Sequence, residues 1–398
     1  MKNPFNARPP SFDADAIHAT IRRALASAGL DTEAGPMRDV TETIRRALAT
    51  GRPAPASPVV DTGSVIDVSA RLLPDAGDAN TASERRPSIG GAQHGPGRFE
   101  AFAFSNAAGC RAYKVYAPAR PPEGPRAMVV MLHGCTQSAD DFAAGTQMNR
   151  LADEHGFLVV YPEQAAQANA SRCWNWFQPQ DQRRGGGEPS LIAGIVGDVA
   201  QRHGADPRRV FVAGLSAGAA MALVLAETYP ELFAGVGVHS GLPYGSAHDI
   251  PSALAAMKGG RSGMPALKDA VGAAGRSGAK ATHAVPVIVF HGDRDHTVQA
   301  TNAALIVRQA RDAHDARAGD APLSMHTHAG VEVGGRRVSR TVHVDAAGQV
   351  RVESWTVHGA GHAWSGGHPS GSHTDRLGPD ASAEMVRFFL AFGRDGSA

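Results

Sequence analysis

Cysteine is nearly missing from this chain: Cys110, Cys135 and Cys173 are the only three in 398 residues. So few exclude a disulfide-built scaffold, and their spacing matches no metal site, which leaves at most one disulfide and one free thiol. Charge of one sign is missing too, because 39 Lys and Arg face 38 Asp and Glu for a formal charge of +1. That balance builds no polyanion-binding surface, so nucleic acid is not an expected partner. No apolar run approaches the roughly 20 residues that cross a bilayer, and the N-terminal MKNPFNARPPSFDAD lacks the apolar stretch of a signal peptide. A transmembrane segment is therefore not expected, and a cytoplasmic location is one reading. Aromatic residues amount to 6%, which makes the cluster Trp174, Trp176 and Phe177, and Trp364 further on, worth following. Apolar content of 42% still suffices for a sizeable core.

Residues 1–95 differ from the rest, being rich in Pro, Ala, Arg, Asp and Ser. The heptapeptide TIRRALA occurs at Thr20 to Ala26 and again at Thr43 to Ala49, each copy placing Ile and Leu four residues apart on one helical face. Two copies are too few for a solenoid, so a weakly helical pair or a docking segment is expected. Pro53, Pro55, Pro58, Pro74 and Pro87 among Ser, Asp and Gly mark residues 50–95 as linker, largely disordered. From 96 to 398 strands alternate with helices. FEAFAF and RAYKVYAP predict an antiparallel pair at a sheet edge, and AMVVMLHG, FLVVYPE, RVFVAGLS, GVGVHSG and PVIVFHGD predict buried strands. Helices are predicted near 140–154, 190–203, 217–229, 301–314 and 383–392. A hairpin in VSRTVHVDAAGQVRVESWTV turns at Ala346 to Gly348. The class is α/β, with a mostly parallel central sheet flanked by helices. The Gly-, Ala- and Ser-rich stretch 246–284 is expected to cap a site.

The most informative segment is RVFVAGLSAG, Arg209 to Gly218, where a buried strand stops at a serine fenced by glycines. Gly214 and Gly218 let strand and helix approach without a Cβ clash, and Ser216 between them reads as a nucleophile on a strained turn. Sites of this architecture take nucleophile, acid and histidine in that order from loops at the carboxyl ends of strands. HGDRDHTV follows the strand PVIVF; Asp295 is the expected acid, with Asp293 shaping the turn. His362 in HGAGHAWSGG is the expected base, His358 the fallback, and His368 and His373 read as rim residues. His362 would take the Ser216 proton and Asp295 would fix its tautomer. An oxyanion needs backbone donors, for which the Ala217 and Cys135 N–H groups are expected. Cys135 as a nucleophile is the competing reading, but no base is placed for it. A Cys135 to Cys173 disulfide would pin that loop to CWNWF. Trp364 is expected at the cleft wall as a substrate contact, with Trp174 as a second.

Taken in order, LHGCTQSADDFAAGTQMN, ANASRCWNWF, EPSLIAGIV, DPRRVFVAGLSAGAAM, VHSGLPYG, HGDRDHTV and WTVHGAGHAWSGG resemble the polyhydroxybutyrate (PHB) depolymerase family of esterases, over about residues 100–393. The resemblance implies an α/β-hydrolase fold and carboxylic-ester hydrolysis without metal or cofactor. It implies the roles given above for Ser216, Asp295, His362 and the Cys135 amide, and it supports the Cys135 to Cys173 bridge. An ester or polyester substrate and an extracellular location follow from it as well. Related feruloyl and acetylxylan esterases share the fold, so a plant-polymer or general short-chain esterase is the alternative. A third reading is a granule- or surface-binding protein acting through residues 1–95.

Overall fold

The computed structural model of the chain describes residues 97–120, 123–259, 284–318 and 321–392. The chain divides between Ser88 and Ile89, and all of these residues belong to the second unit. The expected helical pair and linker lie outside the described residues, as do residues 260–283 of the stretch expected to cap the site.

Strands β1 (Arg98–Asn106) and β2 (Gly109–Ala117) form the expected antiparallel edge pair. There follow β3 (Arg126–Leu132), β4 (Leu158–Pro162), β5 (Ala205–Leu215), β6 (Gly235–His239), β7 (Val287–Gly292), β8 (Ser324–Val333), β9 (Arg336–Val344) and β10 (Val350–Val357). Across the sheet the order is β1-β2-β4-β3-β5-β6-β7-β10-β9-β8. The strands from β4 to β10 in that row are parallel. Every residue of β4, β6 and β7 is buried, as strands covered on both faces require. On β5, Val210 and Val212 enter the core on one face while Phe211, Ala213 and Leu215 enter it on the other. Helices α1 (Ala139–Thr146), α2 (Met148–His155) and α7 (Ala381–Leu390) cover the second face. Helices α3 (Gly187–His203), α4 (Ala217–Thr228), α5 (Ile250–Met257) and α6 (Thr301–Ala318) cover the first. This is the α/β-hydrolase arrangement.

Two features of this topology place the site. From β3 the chain moves outward to β4, whereas from β5, on the other side of β3, it moves to β6, so the winding direction reverses between β3 and β5. The crevice outside the carboxyl ends at such a reversal is where open α/β sheets bind ligands. The ends of the next strands are level, with Leu215 opposite His239, His239 opposite Phe290, and Gly292 opposite Val357.

The sequence reading did not expect the short parallel strand pair Trp364–Ser365 and Thr374–Asp375, and two larger elements also differ. The helix expected over 140–154 is two helices, because Gln147 takes a left-handed conformation (φ 55°) and its N–H closes α1 on Ala143 O. Strand β8 was not expected: nearly all its residues are exposed, so no apolar alternation marks it. The usable signal was Gly334-Gly335, whose positive φ values of 56° and 79° suit a two-residue hairpin turn.

Glu353, buried on β10, accepts hydrogen bonds from Arg340 on β9 (2.9 and 3.1 Å), Arg387 on α7 (2.5 Å) and the Trp355 indole (2.8 Å). Arg340 and Arg387 are 32% and 45% exposed, so water recovers them if the carboxylate is removed. The cost should then fall short of the about 3–5 kcal/mol of breaking a wholly buried pair. We expect Glu353→Ala to lower the unfolding free energy by about 2–3 kcal/mol in urea titrations, with Glu353→Gln losing less.

Candidate active site

β5 ends at Leu215 and α4 begins at Ala217, so Ser216 alone makes the turn. Its φ of 56° and ψ of −119° lie where a non-glycine residue is held only by its surroundings. Those surroundings are a Ser216 N–H bond to His239 O (2.9 Å) and an Ala220 N–H bond to Ser216 O (3.0 Å). The flanking glycines are required sterically. A Cβ on Gly214 would overlap the Gly218 backbone, and one on Gly218 would fall on the Leu132 and His133 carbonyl oxygens. The start of α4 therefore lies against the end of β3, at the reversal point of the sheet. Ser216 itself is 9% exposed.

The loops after β7 and β10 carry the expected acid and base, and the structure brings them together. His362 Nδ1–H donates to Asp295 Oδ2 at 2.7 Å, while Asp295 Oδ1 accepts from the Thr297 and Val298 N–H groups at 2.9 and 2.8 Å. With Nδ1 carrying the proton, the neutral imidazole keeps Nε2 as an acceptor. Burial opposes charge on Asp295, but the His362 hydrogen bond and charge, the Val298 N–H and His291 outweigh it and hold the carboxyl below the usual carboxylate range. His291 Nε2–H in turn donates to Val298 O at 2.8 Å and closes that turn.

His239 connects this pair to the elbow. Its carbonyl takes the Ser216 N–H, and its Nε2 takes the Ser365 N–H at 3.0 Å. Burial, reinforced by the charges of His291 and His362, lowers the His239 pKa to about 3, so the ring is neutral. Asp293 Oδ2 accepts from His358 Nδ1 at 2.8 Å, and Ser339 Oγ lies 2.9 Å from His358 Nε2, so both ring nitrogens of the fallback base are engaged. His368 and His373 are exposed, the latter with Nε2 3.5 Å from Thr136 Oγ1, as expected for rim residues. The described part of the 246–284 stretch holds α5, which docks on the turn beyond Asp295 through Gln299 N–H to Met257 O (2.8 Å) and Asn302 Nδ2 to Ala256 O (3.0 Å).

The loop after β3 presents one free amide. Gly134 N–H donates to Gln137 Oε1 (2.9 Å) and Thr136 N–H to Ser171 O (2.7 Å), whereas the Cys135 N–H between them meets no protein acceptor among the described residues. Nor does the Ala217 N–H, the first of α4, which has no partner one turn back. Cys135 is bonded to Cys173 in a disulfide spanning 38 residues, and Cys110 is the free, exposed thiol. The bridge is backed by the Trp174 indole on His133 O (3.1 Å), by Gln164 N–H on His133 Nε2 (3.0 Å) and by Gln164 Nε2 on Cys173 O (2.9 Å). Gln164 also reaches Glu188, a buried carboxylate that takes Arg111 at 3.1 Å and Asn175 at 2.7 and 2.9 Å. Sequence reasoning missed this support. The signal was Glu188 itself, a charged residue one turn before Ile192 on the buried face of α3.

Both tryptophans expected to touch substrate are core residues instead. Trp364 is 1% exposed, stacked on His239 (centroids 5.2 Å apart) and edge-on to Phe142, with its N–H on Ser382 Oγ at 3.1 Å. Trp174 is fully buried. Phe142, His239 and Ser382 enclose the Trp364 ring, and the Trp174 ring packs on His133 with its N–H on the His133 carbonyl.

Residues 111–317 match the family described as esterase PHB depolymerase. The fold is that of the α/β-hydrolases. The chain belongs to the esterase PHB depolymerase family. It is 37% identical over 235 residues to poly(3-hydroxyalkanoate) depolymerase C of Paucimonas lemoignei, covering 59% of this chain and 54% of that protein. It is 38% identical over 142 residues to a probable acetylxylan esterase A of Aspergillus fumigatus, 35% of this chain and 37% of the other. It thus spans about half the length, or less, of these curated relatives. Among solved structures, an acetyl xylan esterase from Aspergillus awamori superposes with a TM-score of 0.54 at 21% identity, over 70% of this chain and 94% of that one. That likeness is one of fold.

Three histidines around the site, His133, His239 and His291, are at most 2% exposed, and burial above all lowers each pKa. In the unfolded chain each takes a proton below about pH 6.5. Their contribution to stability is therefore complete above that pH and shrinks by up to about 1.4 kcal/mol per pH unit for each as pH falls. Denaturation midpoints should drop between about pH 6.5 and 4, less steeply in His239→Gln than in the unaltered chain. Cys173→Ser, which opens the 38-residue loop, should cost about 3–4 kcal/mol in the same titrations.

Proposed function

We propose that residues 96–398 form the catalytic domain of a carboxylic-ester hydrolase that works through an acyl-enzyme on Ser216. The observation that carries this reading is the 2.7 Å bond from His362 Nδ1 to Asp295, in a chain whose Ser216 sits on a strained turn with its N–H held by the His239 carbonyl. His362 Nε2 accepts the Ser216 proton as Oγ attacks the ester carbonyl, and Asp295 stabilises the imidazolium that forms. The carbonyl oxygen becomes an oxyanion between the Cys135 and Ala217 N–H groups, which face no competing acceptor among the described residues. His362 then returns the proton to the departing alcohol. Water, deprotonated by the same nitrogen, adds to the acyl carbon and releases the acid and Ser216.

The substrate class this reading favours is the ester of a short aliphatic acid. It is common to the chain's similarity both to proteins named acetylxylan esterase and to those named poly(3-hydroxyalkanoate) or poly(3-hydroxybutyrate) depolymerase. The longer of these matches, 235 residues against 142, supports hydroxyalkanoate oligoesters as the second, narrower reading.

Steady-state hydrolysis of p-nitrophenyl acetate and butyrate, acetylated xylan and a 3-hydroxybutyrate trimer tests both. Aryl acetate and butyrate should turn over, and Ser216→Ala should cut kcat at least about 10³-fold with folding retained. Trimer cleavage that outpaces acetate release from xylan would select the narrower reading. Unchanged turnover in Ser216→Ala would remove Ser216 as the nucleophile.

A further inference from the structure

We propose that Asp293 and His358, neither of which reacts, act as a positioning clamp that fixes the distance between Asp295 and His362; this rests on the reading of those two as acid and base. Asp293 lies two residues before Asp295 on the β7 loop, and His358 four residues before His362 on the β10 loop. Because β7 and β10 are parallel, the ladder between them ends at Gly292 and Val357 and leaves the departing loops untied.

The tie is supplied by Asp293. Its Oδ1 accepts the Gly359 N–H at 2.7 Å and its Oδ2 accepts the His358 Nδ1–H at 2.8 Å, so one carboxylate holds both backbone and side chain of the opposite loop. Asp293 N–H to Val357 O (3.2 Å) and Arg294 N–H to Ala360 O (3.0 Å) add two backbone rungs. His358 is fixed from behind by its own N–H on Arg337 O (2.9 Å) and by Ser339 Oγ, which lies 2.9 Å from Nε2. The clamp thus runs from β9 through His358 to the turn that carries Asp295.

Ser339, His358 and Asp293 are joined in the order of a nucleophile relay. Ser339, however, sits within β9, whose two sides are laddered to β10 and β8, so its neighbouring amides are not available to an oxyanion. A hydroxyl with a base but no oxyanion donors is a poor nucleophile, whereas the same three bonds are well suited to holding loops. His358 and Asp293 are each 37% exposed. A pair this open adds little to global stability, which separates a positioning role from a purely structural one.

The test compares kinetics and melting of the full chain. His358→Leu and Asp293→Ala should lower kcat about 10- to 100-fold with KM within about twofold, and melting should shift by less than about 4 °C. The double variant should be no slower than either single one, since both remove one interaction. His358→Asn, whose amide can donate where Nδ1–H did, should recover kcat to within about threefold of the unaltered chain. Ser216→Ala and His362→Ala run in the same assay. If these two keep their turnover, the reading of the site falls; if they lose it while His358→Leu and Asp293→Ala keep full kcat, the clamp alone falls. Equal loss in His358→Asn and His358→Leu would overturn it, as would fluorophosphonate labelling of Ser339 in Ser216→Ala.

Discussion

The close approach of α4 to the end of β3 is the constraint on which the rest of the site depends. Two missing side chains permit it, at Gly214 and Gly218, and any Cβ at either position would overlap backbone atoms. Once the helix starts that near the strand, Ser216 has one residue in which to reverse the chain and is forced to positive φ. The same nearness leaves the first helical N–H, that of Ala217, beside the loop that holds the Cys135 N–H. The strained serine turn and two amides without an acceptor among the described residues are thus gathered by one steric fact, located where the sheet's winding reverses.

Around that contact the protein buries a set of polar side chains. His133, His239, His291, Asp295 and Glu188 are each at most 4% exposed. An unsatisfied buried group would cost about 1–3 kcal/mol; apart from His291 Nδ1 these groups are bonded, to backbone and to polar side chains. Glu188 takes Arg111, Asn175 and Gln164; His133 bridges its own loop to residue 164; His239 bridges the elbow to Ser365. Apolar residues of similar volume would pack as well or better but could not fix loop backbones in direction. Trp364 belongs to the same construction: stacked on the His239 ring and bonded to Ser382, it holds the segment after His362 against the residue whose carbonyl takes the Ser216 N–H.

How much of this was legible in the sequence depended on how local the cause was. The elbow was legible because its glycines, strand and helix are contiguous. The pairing of Asp295 with His362 was legible because loop order after strands follows from topology. Chain order could not tell the cleft wall from the core at Trp364, since burial there is decided by Phe142, His239 and Ser382, which lie far away in sequence. Glu188 was obscured likewise: its partners at 111, 164 and 175 come from three separate segments. β8 escaped notice because a strand exposed on both faces carries no apolar period.

The two aspartates of HGDRD show how a constraint of this kind divides labour between neighbours. Both sit in one turn and each binds a histidine of the facing loop through Nδ1, at 2.8 Å for Asp293 and 2.7 Å for Asp295. What separates them is burial: Asp295 has no exposed side-chain surface, whereas Asp293 and His358 are 37% exposed. The pairing that must polarise an imidazole lies where the dielectric is low and each bond is strong. The outer pairing acts where water weakens charge attraction and geometry alone is transmitted. A parallel sheet leaves its carboxyl-end loops untied, so an acid on one loop and a base on the next need a second contact to keep their register. Repeating the Asp–His motif one step outward supplies that contact with the same residue types.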